Sequence, residues 1–91
     1  MAVTVRLPGI LRQLANGQRT VEVGSSSVEG ALTELCTQFP AIGERVLDDA
    51  GQPQRFVNVY VNGEDVRLLG GVNTPLGDGD EVIIVPAVAG G

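Results

Sequence analysis

Leu76-Gly77-Asp78-Gly79-Asp80-Glu81-Val82-Ile83-Ile84-Val85-Pro86 is the stretch whose reading decides the fold. Glycine tolerates positive φ and Asp bonds its own backbone two residues on, so residues 76–80 read as a tight turn. The turn feeds a strand. Glu81 to Val85 is rich in β-branched residues, and Pro86, which has no N–H for a sheet ladder, is expected to stop it. Beyond it lie Ala87-Val88-Ala89-Gly90-Gly91, small residues around one Val that cannot pack a core of their own. They are expected to project into water as a thin, mobile arm. Gly-Gly at the tip lacks Cβ atoms, which lets the backbone enter a narrow channel that any side chain would block.

From this strand the pattern extends back to the start of the chain. Val3, Val5 and Leu7 alternate with Thr4 and Arg6, the period of a half-buried strand. Pro8-Gly9 breaks it. Asn16-Gly17 is a turn signal before Arg19-Thr20-Val21-Glu22-Val23, so the two segments read as a hairpin with a long, irregular loop carrying Ile10, Leu11 and Leu14. One clear helix follows. Ser26 and Glu29 have capping-box spacing, with Ser26 expected at the N-cap, and Val28, Ala31, Leu32, Leu35, Cys36 and Phe39 form a single apolar stripe ended by Pro40. Gly30 inside this helix would let it lie close on a strand. Residues 41–47 read as a further helical turn, 48–53 as a surface loop, and Phe56 to Val61 as an alternating strand turned by Asn62-Gly63 into a short segment at 64–67. The order is ββαββ plus a closing strand, an α+β arrangement with a mixed sheet packed on one main helix.

Composition excludes several function classes. The net charge is −5 and all six basic residues are Arg, scattered singly, which is not the footprint of a nucleic-acid binder. There is no His, the commonest general base and metal ligand, and no Lys for Schiff-base chemistry or for receiving an isopeptide bond. The single Cys36 cannot form an internal disulfide or hold an iron–sulfur cluster, and its place on the apolar stripe reads as core packing. No bound metal or cofactor is expected. With neither a long apolar run nor a charged-then-apolar leader, a cytoplasmic location is expected.

The run from Thr74-Pro75-Leu76 through Asp78-Gly79-Asp80-Glu81-Val82 to Pro86-Ala87-Val88-Ala89-Gly90-Gly91 resembles the ubiquitin-like sulfur carriers of the ThiS/MoaD family. Within that family the ending is most similar to the CysO type, associated with cysteine biosynthesis. The resemblance spans the whole chain. It implies a β-grasp (ubiquitin-like) fold over residues 1–85, with first and last strands neighbours at the sheet centre and residues 86–91 as a tail. It also implies a protein co-substrate rather than an enzyme, whose reactive group is the Gly91 carboxylate. A ubiquitin-activating-type adenylyltransferase (MoeB/ThiF/MoeZ-like) would join Gly91 to AMP from ATP, and a persulfide would displace AMP to leave a thiocarboxylate. A PLP-dependent cysteine synthase would take up the sulfur, and a metalloprotease would release the product. The same chemistry could feed molybdopterin or thiamin thiazole synthesis, or the chain could be a protein modifier.

Three sets of residues are candidates for function. Ala89, Gly90 and Gly91 would thread into the activating enzyme. If Val57, Val59, Val61, Val82 and Ile84 point inward, then Tyr60, Ile83 and Val85 form an outward apolar row, a surface for partners; a one-residue slip of either strand would reverse it. Asp78, Asp80 and Glu81 read as turn chemistry, with a possible second use in steering a basic partner toward the tail.

Overall fold

Period-two burial organises the molecule, and it repeats in four strands. In β1 (Val3–Arg6) Val3 and Val5 are buried; in β2 (Thr20–Val23) Val21 and Val23; in β3 (Val57–Val61) Val57, Val59 and Val61; in β5 (Glu81–Pro86) Val82 and Ile84. A fifth strand, β4 (Glu64–Asp65), is only two residues long. The computed structural model describes residues 2–86. The expected arm and its Gly-Gly end, residues 87–91, lie outside the described residues.

The sheet order is β2-β1-β5-β3-β4. β1 and β5 run parallel at its centre, while β1–β2, β3–β5 and β3–β4 are antiparallel. The ladder reaches Pro86, which pairs with Val57, so the closing strand is one residue longer than the expected stop at Val85. A proline is admissible there because the end of a strand can forgo one N–H bond. The β3–β4 turn has Asn62 at φ 50° and Gly63 at φ 88°, the two positive values that a two-residue type I′ hairpin requires.

The inner face of the sheet shares one buried cluster with α2 (Val28–Gln38) and α3 (Pro40–Val46), through Val28, Ala31, Leu32, Leu35, Ile42 and Val46. This is a mixed sheet with helices on one face. The N-cap is Ser27 rather than Ser26: its Oγ accepts from the Gly30 N–H at 3.1 Å. Long-range pairing selects it. The Ser26 carbonyl accepts from the Leu76 N–H and the Val28 N–H donates to the Thr74 carbonyl, so the chain is still held against residues 74–76 where a helix from Ser26 would begin. The close approach at Gly30 is also local. A Cβ there would meet the Ser25 side chain at 3.0 Å, not a strand. The β1–β2 connection is not irregular either: it forms a four-residue helix, α1 (Gly9–Arg12), and a 3-10 turn at Gln13–Ala15, burying Leu11 and Ala15 and leaving Ile10 exposed.

Candidate functional site

Because the valines of β3 and β5 face the helices, the alternate residues face outward, and the register places them in one line. Thr20, Arg6, Ile83, Tyr60 and Asp65 are successive partners across β2, β1, β5, β3 and β4. Ile83 and Tyr60 are half-buried at the centre of this row. Val85 stands opposite Asn58, two residues nearer the strand end, and is exposed. The structure therefore brings Tyr60, Ile83 and Val85 together on the face away from the helices, beside the strand end from which Ala89, Gly90 and Gly91 continue.

Charge frames this apolar strip. Asp65 accepts from the Arg67 backbone N–H at 2.9 Å and pairs with its guanidinium at 2.8 Å. The Arg67 side chain holds the Asp65 carboxyl below its usual range, and Arg67 also reaches Asn58 Oδ1. The guanidinium is thus laid along the outer face of β3. On the opposite flank, Arg6 lies 3.7 Å from Glu81, with both side chains open to water.

The acidic turn is elsewhere. Asp78 Oδ1 accepts from the Ala2 N–H at 2.8 Å, and Asp80 accepts from the Gly77 N–H at 2.7 Å and from Asn62 Nδ2 at 3.1 Å. The Gly77 N–H, then Asn62, holds the Asp80 carboxyl below its ordinary value. These carboxylates fasten the start of β5, whereas the tail leaves from its far end, about 17 Å away at ~3.3 Å per residue. Steering a partner toward the tail is not a role this placement supports. Cys36 packs against the core beside Gly43, and burial pushes its thiol pKa up, the reverse of what an activated nucleophile needs. Among the described residues no group of three or more His, Cys, Asp or Glu is placed to hold a metal ion, and no helix is long and apolar enough to cross a membrane.

A small mixed sheet with parallel central strands, a helical layer on one face and an apolar outer strip, in a chain whose sequence ends in Gly-Gly, defines a ubiquitin-like β-grasp protein. The chain belongs to the ThiS family, whose model matches residues 5–91. It is CysO-like: it is 45% identical to the sulfur carrier protein CysO of Mycobacterium tuberculosis, with all of both chains covered. Among solved structures it resembles the crystal structure of the Amycolatopsis orientalis BexX/CysO complex, with a TM-score of 0.88, 41% identity and 99% and 100% of the two chains covered. It also resembles the small archaeal modifier protein 1 of Haloferax volcanii, with a TM-score of 0.86, 32% identity and all of both chains covered.

Proposed function

We propose that this chain is a cytoplasmic sulfur carrier of the CysO kind, a co-substrate whose working group is the carboxylate of Gly91. The observation that carries the reading is that the likeness to CysO takes in the full length of both chains, the Gly-Gly end included. A carboxylate is a poor acyl donor because its leaving group would be oxide. Transfer of AMP from ATP, with release of pyrophosphate, supplies a good one. The terminal sulfur of an enzyme persulfide then attacks the acyl carbon, AMP departs, and cleavage of the S–S bond by a thiol leaves the thiocarboxylate. No side chain of this protein is needed for those steps. The fold supplies a docking face, Tyr60, Ile83 and Val85, and a C-terminus of fixed length that Ala89, Gly90 and Gly91 carry into the enzyme.

Two partners follow from this chemistry: an adenylyltransferase of the ubiquitin-activating type, and a synthase that accepts the sulfur. For a CysO-like carrier the acceptor is a PLP-dependent cysteine synthase, with a metalloprotease freeing cysteine from Gly91. That the Amycolatopsis relative was crystallised with BexX supports a carrier that is read by docking. Incubated with ATP, a sulfur source and its adenylyltransferase, the protein should gain ~16 Da as one oxygen becomes sulfur. A product unchanged in mass would contradict the proposal.

The likeness to a small archaeal modifier favours one second reading, in which Gly91 is joined to amines of other proteins. Higher-mass conjugates in place of the thiocarboxylate would select it.

Tyr60→Ala tests the docking face. Tyrosine at the centre of an interface commonly contributes 2 kcal/mol or more, so affinity for the adenylyltransferase should fall about 30-fold by calorimetric titration. Stability should change by about 1 kcal/mol, the middle of the range for point variants. A variant that melts far below the parent while binding normally would assign Tyr60 to the core.

A further inference from the structure

Three of the six arginines, taken from three separate segments, converge on one cavity at the tail end of the outer face. Arg6 ends β1, Arg12 ends α1 and Arg19 precedes β2; with Thr20 and Ile83 they line an open cavity of about 450 Å³, and none of its described lining residues is acidic. The hairpin creates this convergence, since Leu7 donates its N–H to the Arg19 carbonyl at 2.8 Å and Arg12 Nε donates to the Leu7 carbonyl at 2.9 Å. That bond orients the Arg12 guanidinium and leaves its two terminal nitrogens for another acceptor. Among the described residues the one ion pair at the cavity is Arg6 with Glu81, too open and too long to neutralise it.

The setting makes this cluster unusual for the molecule. The chain carries −5 in total, and without these three charges it would carry −8. Gathering like charges around one cavity costs electrostatic energy in the free protein, and an anionic occupant reverses that cost. Parallel pairing sets Arg6 level with Ile83, three residues before the last rung of β5 at Pro86, so an occupant would sit against the apolar strip as well.

We infer that this cavity is a carboxylate-docking site, which receives paired Asp or Glu side chains on the adenylyltransferase that takes up Gly91. Planar guanidinium groups match carboxylates in two-point geometry. An acidic partner surface would be repelled by the rest of this chain and admitted here, which fixes the orientation in which the tail is presented. The inference rests on the carrier reading, and its test separates the two.

Adenylation of Gly91 is followed by pyrophosphate release while carrier concentration is varied, using the full chain and its adenylyltransferase. Arg6→Gln/Arg19→Gln should raise KM for the carrier on the order of tenfold with kcat within about twofold, because charge governs encounter and register more than the chemical step. The steep rise of the parent's KM with added salt should flatten in this variant. Arg45→Gln, on α3, should behave as the parent. Arg12→Gln is read only after circular dichroism shows an unchanged fold, since its Nε also bonds the Leu7 carbonyl. If the parent is adenylated and the double variant keeps the parent's KM and salt dependence, the cavity has no docking role although the carrier reading stands. A rise in KM for ATP with that for the carrier unchanged would assign the site to nucleotide phosphate and overturn the inference. Failure of the parent to be adenylated at all would remove the carrier reading and the inference with it.

Discussion

A chain ending at Gly90 is expected to fold like the parent and to accept no sulfur, with loading reduced more than about a thousandfold. The described structure ends in a fixed rung, Pro86 opposite Val57, so the reach of the carboxylate depends on the number of residues after it. Five residues span at most ~18 Å, and each deletion shortens that by ~3.5 Å. Acyl transfer requires the reacting atoms within about 3.5 Å, and well-oriented placement contributes ~7–11 kcal/mol to the rate, so loss of one residue forfeits most of it. Adding a residue after Gly91 should fail equally, because the carboxylate is carried past the nucleotide. Gly90→Val should fail by bulk in the channel. Rapid loading of the truncated chain, followed by intact mass, would show that the reactive group is elsewhere.

The largest effect on stability is expected from Leu35→Ala. Leu35 is fully buried between the sheet and the helical layer, in the cluster that joins α2 to β1, β3 and β5. Truncation removes the burial of the side chain and leaves a cavity, together ~2–5 kcal/mol. For a domain of this size each kcal/mol lowers Tm by roughly 4–8 °C. Against a total of ~5–15 kcal/mol, that brings the protein within reach of unfolding at growth temperature. Leu68→Ala is the control: at 82% exposure it should fall within about 0.5 kcal/mol of the parent. Equal urea midpoints for the two variants would contradict the described core.

Much of this was legible in the sequence, for identifiable reasons. Strict alternation in residues 57–61 and 82–84 sets which side chains face the helices, and burial of every second residue follows the same parity in the folded chain. The stripe from Val28 to Leu35 is likewise a local property of a 3.6-residue period. What local pattern does not reveal depends on contacts distant in sequence. Ser26 is the better cap locally because Glu29 stands three residues on, and hydrogen bonds to residues 74 and 76 override that preference in favour of Ser27. A helix of four residues such as Gly9–Arg12 is too short to show a period, so it reads as irregular. The acidic turn is near the tail in sequence but a strand's length away in space. Arg6, Arg12 and Arg19 look scattered along the chain, and only the hairpin closed by Leu7 and Arg19 gathers them.

The central claim is that sulfur resides on the C-terminal carboxylate and nowhere else. Since every basic residue is Arg, trypsin separates the two possible sites cleanly: Thr20–Arg45 carries Cys36, and Leu68–Gly91 carries the C-terminus. After loading with ATP, the sulfur source and the adenylyltransferase, brief tryptic digestion near pH ~7.5 under non-reducing conditions and mass spectrometry should place a gain of ~16 Da on the Leu68–Gly91 peptide, the signature of a thiocarboxylate. A gain of ~32 Da on the Thr20–Arg45 peptide instead, the signature of a persulfide on Cys36, would contradict the account.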